Sequence, residues 1–505
     1  MIGDHLTFDD VVTVAAGGPV EISPDVVTRM RPARDLVERA VESNEAVYGI
    51  TTGIGQLANV RIDPHDAAKL QRDLVRSHAT GVGAPLPTEV VRAMLLLKAR
   101  TLARGYSGTR PVLVERLVDL LNHRIHPVVP SQGSLGASGD LAPLAHLALG
   151  LMGEGTVEVD GRTMASHHAL VNAGLEPLEL SHKEGLALVN GTELMLGLGI
   201  LTWCGVDRLG RASDISAAMT LEACLGTDRA FDQELISLRR HPGAQQVAAN
   251  LRTLLSGSEI VASHRESEHL VQDAYSLRCI PQVHGAYRDG LEYVKSILEA
   301  ELGSVVDNPT VLADRGEVLS GGNFHGEALA LALDHLGLCA AGFATIAERR
   351  VARIVDPDLN NGLPAFLTTE PGRRSGFMLA QYTAAALVSE NRSLCWPASS
   401  DSVPSSAGQE DHVSMGATSA RKAAAILKNS QRVIAIEALT ASQGLDLRLP
   451  LRPARATGAA RDVIRKVSPY LDEDRPLFDE IEAVTRLVDD GSLVEAVSDD
   501  AWAPV

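Results

Sequence analysis

The 505-residue chain reads as mainly α: a long central helical bundle preceded by an N-terminal portion that is α-rich but more irregular. Three observations lead there. Aromatic residues are only 3% of the chain and hydrophobic residues 45%, so Ala, Leu and Val must fill the core, and Ala and Leu have the best helix propensities. Beyond Thr192, long Ala/Leu-rich stretches recur at helical spacing, separated by Gly- and Pro-containing links. Before it, shorter helical patterns alternate with Gly-, Ser- and Thr-rich loops. The division is soft: residues 1–200 form one portion, and residues 201–505 the bundle with the C-terminal helices.

Residues 7–16 mix strand-like and helix-like fragments without a strong period. Ser23-Pro24-Asp25 opens a helix over residues 26–46. Val47-Tyr48-Gly49 begins a Gly/Thr loop ending near Asn59. Asp63-Pro64 starts a helix over residues 67–79 that carries Gln71 and His78. Residues 81–87 read as a turn. Residues 88–104 read as a helix with Val91, Met94, Leu95 and Lys98 at helical spacing, and Arg110-Pro111 starts another that ends before Pro127. Asp140 stands as N-cap, and Pro143 in the first turn, of an Ala/Leu helix running to Met152. Residues 155–163 alternate around Asp160-Gly161 as a small hairpin. Helices are expected over residues 192–225, 287–302, 326–355, 375–389 and 414–443. Residues 265–269 are charged and read as an exposed loop or lid, and their histidines lack a metal-binding spacing.

Composition excludes several functions. A formal charge of −18 and a pI of about 5.3 give no general attraction for nucleic acid or anionic membrane. The acidic stretch 472–500 reads as a solvated helix face. Cys204, Cys224, Cys279, Cys339 and Cys395 are odd in number and widely spaced, which fits reduced thiols in a cytoplasmic protein. Met1-Ile2-Gly3-Asp4-His5 has an acid where a signal peptide has basic and then apolar residues. The longest apolar run, residues 194–205, is shorter than the ~20 residues a membrane span needs. No metal site is expected.

The centre of the chain is Gly133-Ser134-Leu135-Gly136-Ala137-Ser138-Gly139-Asp140-Leu141-Ala142-Pro143-Leu144. Gly139 has no Cβ, so its nitrogen can approach a neighbouring carbonyl closely. Attack on the Ala137 carbonyl carbon would close a five-membered ring. Loss of water from that ring and from Ser138 would leave an exocyclic methylidene, an electrophile that no unmodified side chain supplies. Taken alone, the tripeptide spells an ordinary Gly-rich turn before a helix.

The longer string resembles the signature of the aromatic amino acid ammonia-lyase family, whose Ala-Ser-Gly matures into 4-methylidene-imidazol-5-one (MIO). The resemblance recurs, in family order, at Tyr48-Gly49-Ile50-Thr51-Thr52-Gly53, Ser77-His78-Ala79, Asn190-Gly191-Thr192, Tyr275-Ser276-Leu277-Arg278, Gly322-Asn323-Phe324-His325 and Gln409-Glu410-Asp411-His412. It covers nearly the whole chain. It implies an ammonia-lyase-like fold with fumarase/aspartase-type architecture, MIO from Ala137, Ser138 and Gly139 with no external cofactor, and a homotetramer with active sites shared between subunits. A fumarase/aspartase-type lyase proper would need a Gly-Ser-Ser loop that is absent. The elbow of a serine hydrolase would need one more glycine after Ser138.

Ammonia elimination faces a poor leaving group and a weakly acidic Cβ proton. An electrophile on the amine answers the first and a placed base the second. The resemblance gives the second task to Tyr48, a phenol that needs nearby positive charge or helix N-termini to act near neutrality. Ile54 stands where many relatives carry Phe, a change expected to alter packing beneath that loop. The resemblance sets Asn190 against MIO as an amide donor and Phe324 close by, gives Arg278 the substrate carboxylate in a two-pronged grip, places Tyr275 near MIO as a catalytic residue assisting proton handling or orientation, and puts Gln272 in the same string as a substrate-binding residue. Glu193 is left outside the site. His78 and Glu410 set substrate choice. A carboxylate near an imidazole accepts its N–H, whereas a phenyl ring gives it nothing and burying it there costs free energy. The residues therefore favour elimination of ammonia from L-histidine to trans-urocanate. A tyrosine or phenylalanine ammonia-lyase or 2,3-aminomutase is the alternative.

Overall fold

The computed structural model describes the chain except residues 4, 44, 56–58, 64–65, 267–270, 498–501 and 503–505. About 60% of the chain is helical, in line with the mainly α expectation. Two units each have their own interior. The first is built from Met1–Leu201, Lys295–Asp334 and Pro397–Arg421, the second from Thr202–Val294, His335–Trp396 and Lys422–Val505.

The first unit opens with α1 (Phe8–Ala15), where the sequence showed no clear period. The Thr7 hydroxyl accepts from Asp10 N–H, and the Asp10 carboxylate accepts from Thr7 N–H, so each covers a donor the helix start leaves orphaned. α2 (Val26–Glu42) and α3 (Ala67–His78) follow. The segment read as a turn is the strand β1 (Val82–Pro85). α4 (Thr88–Ala103) and α5 (Val112–Asn122) come next, then β2 (Ile125–Pro127) and β3 (Pro130–Gln132), which pairs antiparallel with β1. After α6 (Leu141–Leu151), β4 (Thr156–Val159) and β5 (Arg162–Ala165) form the expected hairpin, which β2 joins in the order β2-β4-β5. Asp160 and Gly161 both have positive φ, 47° and 74°, the backbone a tight two-residue hairpin requires. α7 (Ser166–Asn172), α8 (Glu184–Val189) and α9 (Glu193–Ala223) complete the run.

α4 is buried on all sides from Val90 to Ala103, the signature of a helix at the centre of a core. Its charged residues are therefore paired. Arg92 donates to the carbonyls of Val14 (2.7 Å), Leu121 (3.0 Å) and Gly18 (3.0 Å), tying the ends of α1 and α5 to α4. His126 lies 3.0 Å from the same guanidinium. Burial, and then Arg92, push it down to about 4, so it is neutral.

The second unit holds long helices or portions of them. Ile280–Gly303 begins earlier than the periodicity placed it, with Pro281 in the first turn, where its missing N–H costs nothing. Glu327–Val355, Met378–Leu394 and Gly416–Leu447 lie close to expectation. Glu327–Val355 is long and apolar enough to cross a membrane, but 72% of its most apolar window is buried, as in a core helix. None of the five cysteines is in a disulfide among the described residues. Only residues 265 and 266 of the charged 265–269 segment fall within the described residues.

Glu437 lies at the heart of this unit. It ion-pairs with fully buried Arg350 and accepts from Ser216 Oγ (2.8 Å) and Thr220 Oγ1 (3.1 Å). Removing one partner strands a buried charge. Arg350→Ala should cost about 3–5 kcal/mol in guanidinium unfolding, whereas the double variant Arg350→Met/Glu437→Leu should cost far less. Equal losses in the two would refute that account.

Candidate active site

In the first unit a cavity of about 490 Å³ is lined by Tyr48, Ile54, His78, Ser138, Asn190 and Glu410, among others. A second, of about 240 Å³, shares His78 and Glu410 and touches Ala137 and Gly139. Residues scattered from position 48 to position 410 thus meet in one place.

The tripeptide lies in a tight turn. Gly136 and Gly139 face each other in an antiparallel bridge, and Gly139 pairs in parallel with Gly191. Gly139 has φ +75°, and a Cβ on it would lie 1.9 Å from the Gly191 carbonyl oxygen, so only glycine fits. Gly191 N–H donates to the Ser138 carbonyl (3.2 Å), and Asp140 N–H donates to the Gly191 carbonyl (2.7 Å). The backbone of 138–140 is therefore gripped from one side, while Ser138 lines the open cavity. The turn, the Cβ-free position and the accessible serine fit the ring-closed group described for Ala-Ser-Gly.

Asp140 behaves differently from its sequence reading. It occupies the N-cap position of α6 but makes no capping bond there. Its carboxylate instead accepts from Leu194 N–H (2.9 Å) and Met195 N–H (3.0 Å) at the start of α9. The competition is settled by burial, since the orphaned donors of α9 are enclosed and need a partner. Burial, with Glu193 adding to it, pushes the Asp140 carboxyl up to about 7, so it exchanges its proton near neutrality.

Tyr48 sits in a loop held by its own backbone. Gly49 has φ +68°, and a Cβ there would strike Leu186 at 2.4 Å. Ile50 packs with Ala33, Val37 and Val311 beneath the loop. Gln71, noted in the sequence only as a passenger on α3, links the loop to α8: its Nε2 reaches the Gly49 carbonyl (3.5 Å), and its Oε1 accepts from Leu186 N–H (3.0 Å). The Tyr48 hydroxyl accepts from Gly55 N–H (3.1 Å). Ile54 faces the cavity itself and so shapes the site directly.

His78 is the last residue of α3. Its Nδ1 lies 2.9 Å from the Leu74 carbonyl, which can only accept, so the proton is on Nδ1 and Nε2 is left as the acceptor. Burial lowers its pKa and keeps it neutral, with Glu410 pulling weakly the other way. Glu410 is in a loop, well before the helix that begins at Gly416. Its carboxylate accepts from Ser405 Oγ (2.6 Å), and its backbone pairs with Ser405 across a turn.

Asn190 Nδ2 donates to Asp307 (3.2 Å) and to the Asn308 carbonyl (3.4 Å), so its donors face these groups rather than the tripeptide. Asp307 in turn pairs with fully buried Lys183 at 2.6 Å. Burial alone would raise the Asp307 carboxyl, but Lys183 carries it below the ordinary carboxylate range. The periodicity carried no hint of this pair.

The remaining candidates do not line either cavity. Phe324 is half-buried in the turn before Glu327. Gln272, Tyr275 and Arg278 belong to the second unit and form a cluster of their own. The Arg278 guanidinium lies 4.5 Å from the centroid of the exposed Tyr275 ring. Gln272 Oε1, oriented by its partner, accepts from both terminal nitrogens of Arg278 at 2.7 and 3.1 Å. Arg278 Nε is a buried donor with no partner among the described residues.

Comparison with known proteins gives the family. A histidine ammonia-lyase of Gloeobacter violaceus is 52% identical over 496 residues, covering 98% of this chain and 96% of that one. The crystal structure of histidine ammonia-lyase from Trypanosoma cruzi superposes with a TM-score of 0.91 at 41% identity, covering 99% and 96% of the two chains. That of tyrosine aminomutase from Streptomyces globisporus gives 0.93 at 39% identity, covering 98% and 97%. The family model for aromatic amino acid lyases matches residues 6–466, and the chain accordingly belongs to that family and is a carbon–nitrogen lyase.

Proposed function

We propose that this chain removes ammonia from L-histidine to give trans-urocanate, using MIO formed from Ala137, Ser138 and Gly139. The observation that carries the reading is the meeting of Tyr48, His78, Ser138, Asn190 and Glu410 around one cavity, with Gly139, gripped by Gly191, lining the second cavity that shares His78 and Glu410. When formed, the group supplies an electrophilic carbon for the substrate amine. The chain's own residues do the rest.

Tyr48 takes the Cβ proton, its hydroxyl oxygen held in place by the Gly55 N–H. Glu410 accepts the N–H of the substrate imidazole, held for this by Ser405. His78 offers its neutral Nε2 as a second acceptor. Arg278 binds the substrate carboxylate, a role supported by its unpaired buried Nε, and Tyr275 and Gln272 orient it. Phe324 packs against the reacting group. These residues reach the cavity in a homotetramer whose sites are shared between copies. The odd number and wide spacing of the cysteines, none of them in a disulfide among the described residues, support a cytoplasmic setting. Of the relatives compared, the histidine enzymes are the more similar in sequence, which favours histidine over tyrosine.

An ultraviolet progress curve with L-histidine tests the reading directly. A rising urocanate band is expected, and a flat trace would overturn it. Ser138→Ala should keep the fold, carry the unmodified mass and lose nearly all turnover; a fully active variant would exclude the electrophile. Tyr48→Phe should retain the loss of two waters yet not turn over. Glu410→Gln removes a charge-assisted hydrogen bond worth about 1.5–3 kcal/mol, so kcat/KM for histidine should fall roughly tenfold to a hundredfold while the mass stays that of the matured chain. An unchanged kcat/KM would remove Glu410 from substrate recognition.

A further inference from the structure

Behind the tripeptide, away from the cavity, the contacts continue in an unbroken stack. The Gly191 carbonyl oxygen fills the place of a Cβ on Gly139. Gly191 is itself backed. It has φ +136°, and a Cβ on it would lie 2.4 Å from Glu193 Oε2. Glu193 is buried and ion-pairs with fully buried Lys98 at 2.9 Å. The same ammonium donates to the carbonyls of Asn190 (2.7 Å) and Ala187 (3.2 Å). Both carbonyls lie at the C-terminal end of α8, where a helix favours positive charge, and the Glu193 carboxylate meets the ammonium as an ion pair while its oxygens accept no hydrogen bond among the described residues. Buried side chains and backbone thus run without a gap from Lys98, through Glu193 and the Asn190 carbonyl, to Gly191 and Gly139.

We infer that Lys98 and Glu193 are positioning residues for ring closure, a backstop that presses Gly191 onto Ser138 and Gly139. The inference rests on the reading that the tripeptide matures. In that step the Gly139 nitrogen bonds the Ala137 carbonyl carbon. The carbonyl oxygen leaves as water with the protons of the Gly139 and Ser138 amides, and a C=N bond forms. The second water takes the Ser138 hydroxyl and the Ser138 Cα proton, leaving the methylidene. Both losses are dehydrations and need no oxidant. An amide nitrogen is a weak nucleophile, so the step depends on how tightly the two atoms are held together, and Lys98 and Glu193 hold the wall that does this. Neither touches the reacting atoms.

The test follows ring closure by intact mass at timed intervals after cell-free synthesis, beside thermal unfolding of the same samples. Lys98→Met/Glu193→Leu removes the backstop without stranding a charge. Lys98→Gln/Glu193→Gln keeps polar partners but is too short to span to Asn190, and it carries the test if the first variant does not fold. The control, Leu445→Ala, empties part of the second unit's core and lowers the melting temperature by an ordinary packing loss. Both paired variants should lose their two waters about tenfold more slowly or worse, because small misplacements are costly in such steps. The control should close at the wild-type rate. Wild-type closure in a folded paired variant, or equally slow closure in the control, would overturn the inference and leave the proposed function standing. An unmodified mass in the wild-type chain would instead overturn the maturation reading, and this inference with it.

Discussion

One backbone oxygen sits where a side chain would begin. The Gly191 carbonyl occupies the Cβ position of Gly139, and a chain of buried polar groups around it fixes the backbone on either side. Asp140 donates its N–H to that oxygen while its carboxylate fastens the start of α9. Asn190, next in line, is held through its side chain by Asp307 and through its carbonyl by Lys98. No single contact here is strong. Each hydrogen bond is worth roughly 1 kcal/mol net, but leaving any of these enclosed groups unpaired would cost more than the bond gives. The constraint is therefore cooperative in a simple sense: each member is needed to satisfy its neighbour.

Buried charge is the means by which this is done. Lys98 with Glu193, and Lys183 with Asp307, are enclosed pairs that an apolar core would not need. Such pairs seldom add net stability, because desolvation offsets most of their attraction. What they supply here is direction. A leucine would tolerate several positions of the Asn190–Gly191 backbone, whereas an ammonium bonded to two carbonyls and paired with a buried carboxylate tolerates few. The second unit uses the same device around Glu437 and Arg350, where the guanidinium also reaches the Ser276 carbonyl beside Tyr275 and Arg278.

Much of this was legible in the residues. The helical spacing of the Ala/Leu runs located the long helices, and the Gly/Thr loop, the tripeptide and the Gln-Glu-Asp-His string marked the cavity lining. The misses have physical causes. α1 was hidden because its signal is a capping box at Thr7 and Asp10 rather than a period. β1 is exposed along its length and lacks the apolar alternation that marks a half-buried strand. Glu193 and Asp307 act through contacts distant in sequence, which no local pattern encodes. Lys98 did leave a trace, a charge following the apolar stretch Ala93–Leu97 in a helix also carrying Arg92 and Arg100, and such charges must find partners indoors. Asp140 was placed correctly on the chain and assigned the wrong helix, because a sequence shows which donors are near along the chain and not which are enclosed.

The carrier of Glu410 differs in kind from all this. Glu410 closes a short turn with Ser405, and the intervening Ser406 and Ala407 both hold left-handed backbone, with φ of 48° and 53°. The tripeptide and its backstop are spread across many elements and cannot change piecemeal. The turn that presents Glu410 is one contiguous stretch that can be exchanged as a cassette. Under the proposed function, a change confined to this short stretch alters which substrate is bound while the tripeptide and its surroundings stay as they are.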